Sequence, residues 1–174
     1  MNPTEAKTKK YFEKSGFHLI RIPESDTKTP DFTGDRILVE VKKIVPEERE
    51  CLSNDSTYNA VKNNLKDASR KFRAYDPHHS KKHLVIIYSE EIVKDDIYSV
   101  WTGEWSREHR DRIFKGGMLL SSSHKEHIDA IAWFEKDSDN QPRFVWAMGE
   151  DLKQYFPEIN PMNFRTERLI IELV

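Results

Sequence analysis

Leu84-Val85-Ile86-Ile87-Tyr88 is the segment that most constrains how this chain can fold. Five apolar residues in succession leave no side to turn toward water. A strand built from them has to be covered on both faces. The preceding segment supplies one cover. Tyr58, Val61, Leu65, Ala68, Phe72 and Tyr75 recur at steps of three and four, the apolar stripe of an amphipathic helix over 57–75. Ser56 is placed to cap that helix and Asp76-Pro77 to end it. A second helix is expected over 3–15, with Asn2 as cap, Pro3 in the first turn, Glu5 at the positive end of the dipole and Gly16 as the stop. Phe17 to Ile22 reads as a strand, with Phe17, Leu19 and Arg21 on one face. Helices interleaved with strands in this way point to a mixed α/β fold around a central sheet.

Composition sets the limits. The 174 residues suit one core, and 28 basic against 30 acidic side chains give a net charge of −2, so any nucleic-acid surface has to be a local patch. A single cysteine, Cys51, excludes a disulfide framework and a cysteine-rich zinc module. No apolar run approaches the roughly 18 residues of a membrane span, and the N-terminus lacks a signal-peptide core. The expectation is a single-domain, cytoplasmic protein without a membrane partner.

The chemistry sits between Thr29 and Lys42. Asp31-Phe32-Thr33, a turn at Gly34-Asp35, and Arg36 to Ile44 form a β-hairpin signal. On a strand Ile37, Val39 and Val41 share one face, and Leu38, Glu40 and Lys42 the other. A carboxylate and an ammonium therefore project side by side. The fold-back places Asp31 on the neighbouring strand, within reach of Glu40. Two carboxylates so placed suit Mg²⁺ or Mn²⁺, with the Val41 carbonyl as a third ligand. Lys42 is set to orient or deprotonate a metal-activated water, or to neutralise charge on a phosphate. The bland alternative is a solvated surface hairpin in which Glu40 and Lys42 form an ion pair of little worth.

Pro30-Asp31, eight intervening residues and Glu40-Val41-Lys42 resemble the signature of the PD-(D/E)XK nuclease superfamily. The N-terminal part is most similar to archaeal Holliday-junction resolvases. These too carry an early acidic residue in the first helix and a Gly-Phe pair at its end, here Glu5 and Gly16-Phe17. The resemblance covers about half the chain. It implies a restriction-endonuclease-like core over about 3–88 (helix, three antiparallel strands, helix, strand) and a β-rich extension over about 89–174. It further implies metal binding by Asp31 and Glu40, a catalytic Lys42, an assisting acid at Glu5, and hydrolysis of phosphodiester bonds in nucleic acid, with DNA the expected partner. A resolvase would act as a symmetric homodimer, a restriction or defence enzyme on sequence or foreign DNA. The competing classes are an inactive nucleic-acid-binding module on the same fold and a protein-interaction module using the acidic C-terminal half.

Lys62, Lys66 and Arg70 lie four apart on the 57–75 helix. From Val61 to His83 seven basic residues face two acids, whereas from Leu84 onward eleven face seventeen. The expectation is a phosphate-binding stripe beside the metal hairpin, against the alternative of an ordinary solvated face. His78, His79 and His83 are expected to be solvent-exposed, and His124-Lys125-Glu126-His127 lacks zinc-site spacing. Trp101, Trp105, Trp133 and Trp146 are expected in the core. Further strands are expected at 97–101, in a hairpin of 128–135 with 143–148, and at 168–173. Short helices are expected at 107–114 and 151–155.

Overall fold

The computed structural model describes residues 1–14, 16–23, 25, 28–45, 56–89, 93–102, 120–134, 143–146 and 162–163. Cys51, Trp105, the expected helices at 107–114 and 151–155 and the strand at 168–173 lie outside the described residues, as does the Trp146 side chain.

The described elements run α1 (Pro3–Lys14), β1 (Ile20–Arg21), β2 (Phe32–Thr33), β3 (Ile37–Ile44), α2 (Ser56–Tyr75), β4 (Lys82–Ser89), α3 (Lys94–Thr102), α4 (Ser122–Lys125), β5 (Ala130–Phe134), β6 (Arg143–Trp146) and β7 (Met162–Asn163). The strands form one open mixed sheet in the order β1-β2-β3-β4-β5-β6-β7. β2 runs antiparallel to both β1 and β3, β4 lies parallel to β3, β5 parallel to β4, and β6 antiparallel to β5. A parallel step needs a long crossover, and α2 provides it between β3 and β4. No described helix is long and apolar enough to cross a membrane.

The two faces of the sheet carry separate cores. Phe12 of α1 packs with Leu19, Phe32, Ile37, Val39, Leu84, Ile86 and Tyr88 on one side. On the other, the α2 stripe Tyr58, Val61, Leu65, Ala68 and Phe72 packs on Leu38, Val85 and Ile87, together with Val93, Ile97, Val100 and Trp101 from the α3 region. Alternation on β3 and burial of β4 on both faces thus hold as the sequence implies.

Local chemistry defines α1 at both ends. Asn2 Oδ1 accepts the Glu5 amide at 2.8 Å, while the Glu5 carboxylate accepts the Asn2 amide at 3.1 Å. This is a reciprocal capping box. At the other end Phe17 N–H donates to Phe12 O and Gly16 N–H to Glu13 O, with Gly16 at φ +82° and the Phe12 and Phe17 rings 6.1 Å apart. That is a Schellman stop with its apolar contact.

The segment 97–101, expected as a strand, belongs to helix α3. Its β-branched and aromatic residues favour strands intrinsically, but Val93, Ile97, Val100 and Trp101 at helical spacing bury against α2, and tertiary burial outweighs propensity. β1 is also shorter than the expected 17–22, and Arg21 is exposed.

Asp76 closes α2. Its carboxylate accepts Ser80 N–H at 3.0 Å, Ser80 Oγ–H at 2.9 Å and Lys81 N–H at 2.9 Å. Burial opposes its ionisation, but these bonds and one from His83 outweigh that and hold it well below the usual carboxylate range. A depressed folded pKa contributes stability above the ordinary value that is lost as pH falls through and below it. Asp76→Ala should cost about 2–3 kcal/mol at neutral pH, and the gap from the parent should narrow below about pH 4. Urea denaturation across pH checks both. Gly16→Ala should cost about 1–2 kcal/mol, because an L side chain is strained at positive φ.

Candidate metal and phosphate site on β3

Asp31 lies at the start of β2. Its amide donates to the Val39 carbonyl (3.1 Å), and its carbonyl accepts Ile22 N–H (2.9 Å), so the ladder continues through it. Its Oδ2 accepts the Val41 amide at 2.7 Å. A strand amide points in the plane of the sheet, so the Asp31 carboxylate sits beside β3, where a strand neighbour would otherwise be. Val41 meets Asp31 through its N–H, a contact separate from the ligand role expected of its carbonyl.

Glu40 points from β3 toward α2 and is 1% exposed. Its Oε1 accepts Lys71 Nζ at 2.6 Å and Lys42 Nζ at 2.8 Å, while Oε2 is buried without a hydrogen-bond partner. Lys42 Nζ also reaches Asp67 Oδ2 at 2.6 Å, and Lys28 Nζ lies 3.2 Å from Asp67 Oδ1. The solvated hairpin pair is therefore replaced by a relay that runs from the buried Glu40 out to solvent: Lys71, Glu40, Lys42, Asp67, Lys28. Lys71 and Asp67 were missed as site residues. Their spacing of four on one side of the 57–75 stripe is the signal that could have found them.

The electrostatics follow from burial and crowding. Burial raises the Glu40 pKa, and the neighbouring Asp31 charge raises it further, against Lys42 and Lys71. Burial likewise raises Asp31, with Glu5 adding repulsion, while the Val41 amide, Lys71 and Lys42 oppose the rise. Burial works against the Lys42 ammonium, but Glu40 and Asp67 outweigh it and hold its pKa above the ordinary lysine value. Lys42 is thus a fixed cation at neutral pH.

Glu5 is 7% exposed and serves first as the capping-box acid; Arg21 Nε lies 3.5 Å from its Oε2. Its charge also repels that of Asp31.

The basic stripe is placed differently from the expectation. Lys62 is only 7% exposed, and burial, with Lys66 beside it, lowers its pKa. Lys66 is half-buried and Arg70 exposed. Beyond the effect of burial, these two and Arg73 depress the pKa of His124 on α4. The stripe therefore runs beside α4, about 100° around the helix from Asp67 and Lys71.

The acids and the orphaned oxygen fit a hard divalent cation. Glu40 Oε2 has an unused acceptor, and the Asp31 charge beside it adds a second carboxylate. No family model, curated protein or solved structure matches this chain.

Asp31→Asn keeps an acceptor for Val41 but removes one charge. A carboxyl raised in the folded state contributes stability at low pH that is lost as pH rises through its folded pKa. Asp31→Asn should therefore melt above the parent at neutral pH in chelator, and the difference should vanish on acidification below the ordinary carboxylate range. Thermal melts across pH test this.

Proposed function

We propose that the protein is a metal-dependent endonuclease of the PD-(D/E)XK type that hydrolyses phosphodiester bonds in DNA. The observation that carries the reading is the buried Glu40 beside Asp31, with the Lys42 ammonium 2.8 Å from Glu40 on the same strand. The order of α1, three antiparallel strands, α2 and a parallel β4 supports a restriction-endonuclease-like core.

Asp31 and Glu40 would hold Mg²⁺ or Mn²⁺. The bound ion supplies an activated water and neutralises phosphate charge. Lys42, aimed by Glu40 and Asp67, offers a permanent cation to the negative charge that develops on the phosphoryl oxygens. Lys71 keeps Glu40 ionised and turned into the site. Glu5 stabilises the end of α1 and adds negative potential at Asp31. Lys66 and Arg70 supply positive charge on the outer face of α2.

The second reading, a metal-independent nucleic-acid-binding or protein-interaction module, is favoured by one observation. Lys42 and Lys71 already neutralise Glu40, so the network holds together without a divalent ion.

Cleavage of linear, branched and single-stranded DNA and of RNA with Mg²⁺ or Mn²⁺ separates the two. Asp31→Ala and Glu40→Ala should abolish cleavage and leave binding. Lys42→Ala should slow it by about 10²-fold or more. Activity surviving in the double acidic variant sinks the nuclease reading, and binding unaffected by Mg²⁺ without cleavage favours the module. The pH–rate profile between about pH 6 and 9 should contain no limb that disappears in Lys42→Arg, because Lys42 stays protonated there.

A further inference from the structure

Away from the carboxylate site, three histidines expected in solvent or assigned no role converge. His83, near the start of β4, is fully buried, its ring stacked between Phe72 (4.6 Å between centroids) and His79 (4.2 Å). The turn anchored by Asp76 makes this possible. His79 takes a left-handed backbone, φ 51°, and its amide donates to the Asp76 carbonyl at 3.1 Å, which folds the ring back over β4. From the other side, Asp129 Oδ2 accepts the His83 amide at 2.7 Å, and the Asp129 amide donates to the His83 carbonyl at 2.9 Å. That pairing draws in His127, whose ring lies 6.1 Å from His79 and 6.4 Å from His83.

Each ring offers one nitrogen, and the three nitrogens lie within 4.8 Å of one another. Tetrahedral zinc with bonds of about 2.0–2.1 Å spaces its ligand atoms at about 3.3 Å and lies in the plane of each imidazole, so the rings, now stacked within 7° to 26° of parallel, must turn out of that stack to close on it. The outer shell is already built. His79 Nε2 donates to Asp129 Oδ2 at 2.6 Å, and His83 Nε2 to Asp76 Oδ2 at 3.2 Å. Metal-bound imidazoles characteristically give their second N–H to a carboxylate in this way. That tautomer frees Nδ1 on both rings. His83 Nδ1 lies 3.1 Å from the His127 carbonyl, a contact that has to open before this nitrogen can take a cation. His127 Nδ1 is buried and has no hydrogen-bond partner. Asp76 and Asp129 supply two negative charges, one of them shared with Lys82, whose Nζ is 3.3 Å from Asp129 Oδ1. Three imidazole nitrogens select a late first-row ion over Mg²⁺ or Ca²⁺.

We propose that His79, His83 and His127 form a zinc site that clips the turn after α2 and the start of β4 to the turn that opens β5. It is independent of the β3 carboxylates and of the function proposed for them.

The full chain, stripped with chelator, is titrated with Zn²⁺ by calorimetry and with Co²⁺ by visible absorption. One equivalent should bind, with the Co²⁺ spectrum of a nitrogen-ligated tetrahedral site. His79→Ala and His127→Ala should each weaken binding by more than about tenfold, while His78→Ala and Asp31→Asn retain it. Should an alanine variant misfold, imidazole ¹⁵N shifts of the parent decide instead: Zn²⁺ should move three of the seven histidines, 79, 83 and 127. No uptake, uptake unchanged in both alanine variants, or shifts at other histidines overturns the proposal.

Discussion

A carboxylate with 1% exposure between a sheet and a helix needs partners close at hand. Removing Glu40 from water costs several kcal/mol unless charge and hydrogen bonds offset it. Lys42 comes from two residues further along the same strand, and Lys71 from the covering helix, and both reach the same oxygen. The second contact couples the rotational setting of α2 to the register of β3. With Lys71 aimed at Glu40, Phe72 is directed to the core and Arg70 to solvent. The position of one buried acid is therefore reflected in the packing of the whole α2 face.

The pairing is incomplete, and that is what gives the site its chemical character. Glu40 Oε2 stays unpartnered, Asp31 crowds it, and Lys42 is divided between Glu40 and Asp67. One carboxylate oxygen is left open beside a second acid, while the ammonium is held charged. A purely structural ion pair would be expected to satisfy both oxygens.

The same helix organises the other cluster. β4 sets His83 beside Leu38 and Val85 beside Glu40, all on the α2 face. The histidines thus sit one strand across and two residues along from the carboxylates, under the C-terminal end of α2. Phe72 stacks on His83 while its neighbour Lys71 holds Glu40. One turn of helix supports both places, with apolar side chains between them.

Periodic patterns were legible because they report local geometry. The 3.6-residue stripe of α2, the alternation on β3, the wholly apolar β4, the Asn2 cap and the Gly16 stop all follow from neighbours close in sequence, and so does the placing of Glu40 and Lys42 on one face. Segments whose propensity and burial disagree were not legible: 97–101 has strand-forming residues and becomes α3 because α2 needs covering. The contacts of Lys71, Asp67 and the histidine triad were not legible for a related reason. Their partners lie 31, 25 and about 44 residues away, and contacts at that range are set by the packing of α2 and β5 on the sheet. The sequence by itself determined the elements and which acids and amines share a face. Only the tertiary structure decided which charges are buried together, because burial depends on what packs above a residue and not on the residue's own neighbours.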